Sequence, residues 1–220
     1  MRAVIFDFDQ TLVNTLRRFY EVFNRVLRDF GGSDVDWETF VKHYADDTLD
    51  NFVPPGIDRE VFWRAFLKRY NDIVSPSDSP IPGALDVLRC LKHHGFKVAV
   101  VTGRAVDERF VWEELRMFGM DTYVDCVVTA KDFLDDKLFS KERILRRAAE
   151  ILNVPIDECV VVGDYWADMI SGKAVGAKLV VGVLTGLMSA EKLREYGADV
   201  VIDSVAELLG VLNIEQVDKL

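Results

Sequence analysis

The sequence has few features of a secreted or membrane-bound protein. It holds only three cysteines among 220 residues, Cys90, Cys126 and Cys159. An odd number of widely spaced cysteines within apolar stretches predicts buried free thiols in a reducing compartment rather than disulfides or a metal site. No apolar run approaches membrane-spanning length, and the first residues show no leader-like basic and apolar regions. We therefore expect a cytoplasmic protein with no membrane partner.

Positive charge is also scarce. Lysine and arginine number 27 against 37 aspartate and glutamate residues, which gives a net charge of -10. Such a surface is poorly suited to neutralise nucleic-acid phosphates, so we expect no nucleic-acid partner, and an anionic ligand would need local attraction. Half of the residues are hydrophobic, enough for the core of one large domain or of a medium domain with an insertion.

Six short apolar runs rich in β-branched residues alternate with amphipathic stretches. Their continuous hydrophobicity predicts parallel strands that are covered by helices on both faces. We therefore predict an α/β fold with a doubly wound, Rossmann-like parallel sheet. The predicted strands are residues 3–6, 97–101, 124–128, 159–162, 178–181 and 199–202.

Residues 16–81 interrupt this alternation. They hold no strand-like run, and apolar residues, many of them aromatic, repeat at helical spacing within 19–30, 37–44 and 60–73. Proline, serine and glycine cluster at 75–83, which is typical of a hinge. We predict a helical domain of residues 16–81, with its aromatic residues as its own core, inserted into an α/β domain formed by residues 1–15 and 82–220.

Paired carboxylates follow two of the predicted strands. Asp7 and Asp9 come at the end of the first strand, where they repel each other and raise each other's pKa. A hard cation such as Mg²⁺ would remove the repulsion, and it binds through one or two carboxylates together with a substrate phosphate. Asp164 and Asp168 lie four residues apart at a later strand end, so both can point at the same cation. Asp164 alone could equally cap a helix.

A hydroxyl and a glycine, Thr102 and Gly103, follow the strand at 97–101. At the mouth of a helix beginning near Ala105, they could offer an O–H and backbone N–H groups to a phosphate. An ordinary helix cap at Thr102 is an equally good interpretation. Arg104 could touch an anionic substrate, but we expect it to be a surface residue of that helix.

A lysine is the second candidate phosphate ligand. Lys141 opens a predicted helix that runs to Leu152, and Lys137 is close enough in sequence to compete for the same role. A lysine in the first turn opposes the helix dipole, so contact with a phosphate or carboxylate would explain its position. A solvated surface lysine is the alternative.

In their order along the chain, these motifs resemble the four signatures of the haloacid dehalogenase superfamily. The helical insertion between the first and second signatures resembles the phosphoglycolate-phosphatase-like branch, which carries a helical cap of the C1 type. Two departures stand out, because Gln10 replaces the usual glycine and Lys141 lacks the usual Lys-Pro pattern. The matching motifs are Asp7-x-Asp9-x-Thr11, Thr102, Lys141 and Gly163-Asp164-x-x-x-Asp168.

The resemblance implies a Mg²⁺-dependent phosphatase of a small phosphorylated metabolite, such as a phosphoglycolate-like compound or a sugar phosphate. Asp7 would be the nucleophile that forms an aspartyl-phosphate, and Asp9 the general acid and base. Thr11 would stabilise the loop after the nucleophile. The implied metal ligands are Asp7, the backbone carbonyl of Asp9, Asp164 and Asp168, and the implied phosphate ligands are Thr102, Gly103 and Lys141.

Other activities stay open at this point. Within the resemblance they are a phosphomutase, mildly disfavoured by Thr11, and a haloacid dehalogenase, disfavoured by Asp9. A receiver-like phospho-accepting signalling module also uses clustered aspartates, a threonine and a lysine. Its acceptor follows a middle strand, whereas the candidate nucleophile here follows the first strand of the chain, and such a module has no helical cap. We expect a monomer or weak homodimer. Tyr165 and Trp166 are expected to narrow the site entrance, and Arg17 and Arg18 are hypothetical specificity contacts.

Overall fold

The computed structural model describes residues 1–73, 75–133 and 137–215. Within these ranges six strands form one sheet, in which each pair of neighbours is parallel. The strands of the structure are β1 (Ala3–Asp7), β2 (Val13–Asn14), β3 (Ser79–Pro80), β4 (Lys97–Thr102), β5 (Cys126–Thr129), β6 (Cys159–Gly163), β7 (Leu179–Val183) and β8 (Val200–Ile202). The order in the large sheet is β5-β4-β1-β6-β7-β8.

Helices cover both faces of this sheet, as the continuous apolar runs predicted. The side chains of Val4 and Phe6 face α4 (Ala84–His93), α5 (Glu108–Met117) and α9 (Leu208–Val211). Those of Ala3 and Ile5 face α6 (Glu142–Leu152) and α7 (Trp166–Val175), while α8 (Ala190–Glu195) lies beside β7 and β8. The doubly wound fold and all six predicted strands are confirmed, with strand ends within two residues of the prediction.

Residues 16–81, called the helical segment below, contain α1 (Leu16–Asp29), α2 (Trp37–Asp46) and α3 (Arg59–Arg69). Asp36 and Asp58 cap α2 and α3 by accepting from backbone N–H groups three residues later. The aromatic side chains of this segment pack on one another in a cluster separate from those of the sheet, as expected. The division into two domains at residues 15/16 and 81/82 stays a prediction.

A short pair of strands joins the two ends of the helical segment. Val13 pairs with Pro80 and Asn14 with Ser79, so β2 and β3 run antiparallel. The prediction of no strand between 16 and 81 was wrong here, because two residues are too few to show a periodic pattern. The pairing holds the segment that enters the helical segment beside the segment that leaves it, and Val13 also forms a β-bridge with Asp9.

Two further expectations concern composition. Cys90, Cys126 and Cys159 are buried and free, as predicted. Among the helices of the described ranges, none has the length and apolar character needed to cross a membrane.

Candidate active site

Three neighbouring strands bring the predicted site residues to one edge of the sheet. Asp7 ends β1, Thr102 ends β4, and Asp164 directly follows β6. Because β4, β1 and β6 are adjacent and parallel, their carboxyl ends meet at the place where open α/β sheets bind ligands. These residues line a cavity of about 270 Å³ beneath the helical segment. The cavity is also lined by Asp9, Gly103 and Lys141. The structure therefore brings all but one of the predicted site residues to this cavity. The exception is Asp168, which contacts Lys141.

Three of the carboxylates form a compact buried cluster. One oxygen each from Asp7, Asp164 and Asp168 lies within 4.8 Å of the others. Burial, then the charges of Asp168 and Asp9, raise the pKa of Asp7 to about 7 although Lys141 opposes the rise. Burial, then the charges of Asp7 and Asp168, raise the pKa of Asp164 well above its usual value. Three crowded oxygen ligands at a water-excluding site fit a hard divalent cation such as Mg²⁺.

Lys141 lies against this cluster. Its Nζ donates to Asp7 Oδ1 at 2.5 Å and to Asp168 Oδ1 at 2.6 Å. Burial would lower the pKa of Lys141, but these two carboxylates raise it above its ordinary value. Lys137 is exposed, so the geometry favours Lys141 as the lysine of the site. The carboxylate contacts also explain why a lysine stands at the start of α6.

The Asp9 side chain points away from the carboxylate cluster. Its Oδ2 accepts from Arg104 Nε at 2.9 Å, and its Oδ1 accepts from Arg104 Nη2 at 2.5 Å and from Thr15 Oγ1 at 2.7 Å. Burial would raise the pKa of Asp9, but the Arg104 charge and these hydrogen bonds bring it below its usual value. The predicted metal contact of Asp9 is through its backbone carbonyl, and it stays a prediction.

Arg104 is not the surface helix residue we expected. Its side chain is 1% exposed and also donates from Nη1 to Glu114 Oε1 at 2.6 Å. The predicted helix near Ala105 was wrong as well, because α5 begins only at Glu108, where Asp107 caps it. The Thr102 hydroxyl accepts from the Arg104 backbone N–H at 3.2 Å, so it stabilises a turn behind the strand rather than a helix start.

The buried charges continue from Arg104 to the helical segment. Glu114 Oε1 also accepts from Arg18 Nη1 at 2.9 Å, and Arg18 Nε donates to Asp78 Oδ2 at 2.8 Å. Arg18 is therefore a buried link between α1, α5 and the residue before β3, not a specificity contact. Arg17 is exposed and lies over the rings of two neighbouring aromatic residues. One sequence signal could have revealed Glu114, since it falls on the apolar face of its helix.

Close packing fixes two glycines beside the carboxylates. A Cβ at Gly163 would lie 2.3 Å from Asp168 Cγ, and one at Gly186 would lie 1.9 Å from Asp164 Oδ2. Thr11, expected to stabilise its loop, donates from Oγ1 to Asp164 Oδ1 at 3.1 Å. Gly186 was missed because a lone glycine in a turn carries no sequence signal for contact with a distant carboxylate.

Gln10 occupies a backbone conformation that favours glycine, with φ at 60°. This explains why the resembled family usually has glycine there. The Gln10 amide is buried, and its oxygen can accept from the N–H groups of Thr15 at 3.0 Å and Leu16 at 2.6 Å. The Thr15 hydroxyl is engaged by Asp9 and Tyr70 and does not cap α1, so Gln10 supplies the cap instead.

We predict different costs for two substitutions of Gln10. Both Gln10→Ala and Gln10→Gly remove the capping amide, but only alanine keeps a Cβ in the left-handed conformation. Gln10→Ala should therefore be less stable than Gln10→Gly by about 1 kcal/mol. Urea unfolding of the two variants measures the difference, and equal stabilities would contradict this account of residue 10.

The helical segment is closed over the cavity. Tyr165 donates from its hydroxyl to Asp47 Oδ1 at 2.5 Å, and Lys192 Nζ donates to the Asp46 carbonyl at 2.9 Å. These contacts join the residue before α7 and the first turn of α8 to the end of α2. Tyr165 and Trp166 line the cavity, and their narrowing of its entrance stays a prediction. Such a cover limits the access of water to the site, which strengthens electrostatic interactions inside.

The raised pKa of Asp164 predicts that its buried carboxylate destabilises the protein when no metal is bound. Folding raises the pKa of Asp164, so between the unfolded-state pKa and the folded-state pKa the folded protein binds more protons than the unfolded chain. The stability of the metal-free protein therefore falls as the pH rises from about 4 through the folded-state pKa. At pH 8 the variant Asp164→Asn removes a costly buried charge. Its melting temperature in chelator should rise by about 2–4 °C, as for roughly 1 kcal/mol in a chain of this size.

The same variant should lose stabilisation by Mg²⁺. Wild-type protein at about 100 times the dissociation constant should gain roughly 2.7 kcal/mol, whereas Asp164→Asn should gain almost none. The matched control is Asp157→Asn, an exposed aspartate before β6, which should behave as wild type in both buffers. If Asp164→Asn melts at a lower temperature than wild type in chelator and is still stabilised by Mg²⁺, Asp164 is not a metal ligand.

Comparisons with known proteins extend over the sheet and the helical segment. The family described as haloacid dehalogenase-like hydrolase matches residues 4–182. Pyrophosphatase PpaX from Bacillus pumilus is 25% identical over 219 residues, 98% of each chain. The structure of a predicted phosphatase from Clostridium acetobutylicum is similar, with a TM-score of 0.77 and 25% sequence identity. The match covers 97% of this chain and 99% of that one. A predicted phosphoglycolate phosphatase from Haemophilus somnus shares the fold, with a TM-score of 0.72 and 19% identity over 96% and 98% of the two chains.

Proposed function

The chain belongs to the haloacid dehalogenase-like hydrolases, and from this membership we propose a Mg²⁺-dependent phosphatase that acts on a small phosphorylated metabolite through an aspartyl-phosphate on Asp7. The coarser assignment, a phosphoric monoester hydrolase, follows from the family and its phosphatase relatives. The proposal adds the metal, the covalent intermediate and the roles of individual residues. It also makes the helical segment the cap that covers the substrate.

One observation carries the proposal. Asp7 stands at the end of β1, with one oxygen held by Lys141, and it lines the cavity. A buried carboxylate next to a lysine and two further carboxylates would be costly without a function. The arrangement suits phosphoryl transfer, which requires a positioned nucleophile and cationic groups around the transferred phosphoryl oxygens.

Asp7, Asp164 and Asp168 would hold Mg²⁺, which when bound offsets their repulsion and the charge of the phosphoryl group. Lys141, Thr102 and Gly103 would bind the phosphoryl oxygens at the floor of the cavity. In the first step Asp7 attacks phosphorus, the bond from phosphorus to the leaving oxygen breaks, and Asp9 gives that oxygen a proton. In the second step water attacks the aspartyl-phosphate, Asp9 takes the proton of that water, and phosphate leaves.

The environment of Asp9 favours one half of this cycle. Because Arg104 keeps the pKa of Asp9 below its usual value, Asp9 in the conformation described is ionised at neutral pH and suits the base role. The acid role needs a protonated carboxyl within reach of the leaving oxygen. Asp9 must therefore leave Arg104, take up a proton from solvent and turn toward the substrate before it can act as the acid of the first step.

Release of inorganic phosphate under turnover conditions tests the proposed function. Purified protein with Mg²⁺ should release many equivalents of phosphate from at least one member of a panel of phosphorylated metabolites and aryl phosphates, and chelator should stop the release. A receiver-like module would instead accept one phosphate per chain from a small phosphodonor. That outcome, or silence on the whole panel, would refute the phosphatase.

A further inference from the structure

The cavity leaves space for only a small leaving group. Its volume of about 270 Å³ is just below the 300–1,000 Å³ typical of small-molecule sites. Asp7, Asp164 and Lys141 form its floor, where the proposed function, on which this inference rests, puts the phosphoryl group. The rest of the lining must then contact the leaving group.

This upper lining is largely aromatic. Phe19, Trp63 and Phe66 enter it from the helical segment, and Phe139 and Trp166 enter from the loops at the sheet edge. The ring centroids of Trp63 and Phe139 are 5.7 Å apart, and those of Phe139 and Trp166 are 6.2 Å apart. Rings at these distances and at angles of 66° and 87° contact one another edge to face. They form a continuous aromatic surface, against which a further small aromatic group can pack in the same way.

Phe139 links the two sides of the cavity. It follows β5 in the chain, yet it packs against the aromatic cluster of the helical segment. Its φ is 64°, a conformation that is costly for a bulky side chain and that concentrates at functional sites. The backbone is therefore held in an unfavourable conformation that places this ring at the cavity.

The charges of the lining disfavour a second anionic group on the substrate. Among the described residues that line the cavity, five are aspartates and three are cationic. The three cations already have carboxylate partners: Lys141 contacts Asp7 and Asp168, Arg104 contacts Asp9 and Glu114, and Arg59 contacts Asp50.

Two of the lining aspartates lie away from the floor, on the side of the leaving group. Asp47 accepts from the hydroxyl of Tyr165, and Asp50 accepts from Trp63 Nε1 at 2.6 Å. The carboxylate of a phosphoglycolate or the second phosphate of a pyrophosphate, as in the names of the relatives, would enter an aromatic cavity beside these acids. Desolvation and like-charge repulsion would both oppose its binding.

We propose that the preferred substrate is the monophosphate of a small, planar, uncharged alcohol such as an arylmethanol. The reaction breaks the bond from phosphorus to the alcohol oxygen, adds one water, and yields the free alcohol and inorganic phosphate. The aromatic walls supply the binding energy for the leaving group, and Lys141 with the metal serves the phosphoryl group alone.

Benzyl phosphate and glycerol 3-phosphate form the matched pair for the test, because both release a primary alcohol and differ in the aromatic ring. With Mg²⁺, kcat/KM for benzyl phosphate should exceed that for glycerol 3-phosphate, phosphoglycolate and pyrophosphate by about 10- to 100-fold, the effect of burying one ring. Preference for any of the other three would overturn the inference while leaving the phosphatase in place. Release from other members of the panel but from none of these four compounds would also overturn the inference alone. No release from these four compounds and none from the rest of the panel would refute the proposed function and the inference with it.

A variant pair ties the preference to the aromatic walls. Phe139→Ala should reduce the ratio of kcat/KM for benzyl phosphate over glycerol 3-phosphate by about tenfold. Phe110→Ala, which removes a partly buried ring on α5 outside the cavity, should leave that ratio unchanged. An unchanged ratio in Phe139→Ala, or an equal fall in both variants, would overturn the role of the cavity walls.

Discussion

Asp7→Asn should lower kcat for phosphate release by at least about 10⁴-fold, because it removes the proposed nucleophile rather than a supporting contact. The amide keeps the size of the carboxyl and a hydrogen-bond acceptor for Lys141, so the fold should persist. Steady-state phosphate release and far-ultraviolet circular dichroism check both parts of this expectation.

Asp9→Asn provides the graded comparison. It removes proton transfer but leaves the nucleophile, so its loss should be smaller, about 10²- to 10⁴-fold. An Asp7→Asn variant with more activity than Asp9→Asn would show that Asp7 does not attack phosphorus.

Glu114→Ala should lower the free energy of unfolding by about 3–5 kcal/mol, which is a large part of the 5–15 kcal/mol typical of a folded protein. Glu114 is buried between Arg18 and Arg104 and accepts from both. Removing it leaves two buried guanidinium groups near each other without the carboxylate that separates their charges. Urea unfolding followed by tryptophan fluorescence measures the loss.

The neighbouring Glu113 is the matched control for this prediction. It lies on the same helix with its side chain exposed, so Glu113→Ala should change the free energy of unfolding by less than about 0.5 kcal/mol. A Glu114→Ala variant as stable as Glu113→Ala would contradict the view that the buried charges are mutually dependent.

The sheet and the residues at its strand ends could be predicted because their signals are local. Continuous β-branched runs mark buried parallel strands, and the polar residues that follow them share one edge of the sheet. Asp7, Thr102 and Asp164 were found in this way. Lys141 was singled out by its position at a helix start, with Lys137 as the alternative, and the order of the motifs then indicated the family.

Contacts between residues distant in sequence were beyond the reach of such patterns. Arg104 was expected on a helix surface, since no residue pattern near it in the chain indicates that Asp9 and Glu114 are its partners. The same holds for Gly186, whose missing side chain leaves room for Asp164, and for Phe139, which packs on the helical segment. The left-handed backbone of Gln10 was not predicted, because glycine is the residue whose presence usually indicates that conformation.

The central claim is that phosphate passes through a covalent bond to Asp7, and trapping the intermediate tests it most directly. A single turnover of ³²P-labelled benzyl phosphate, or of whichever panel compound proves the best substrate, would be quenched in acid within milliseconds in the presence of Mg²⁺. We predict protein-bound label that neutral hydroxylamine removes, as expected for an acyl phosphate, and that is absent from Asp7→Asn. Full turnover with no bound label at any time of quench, or label that persists in Asp7→Asn, would contradict the account.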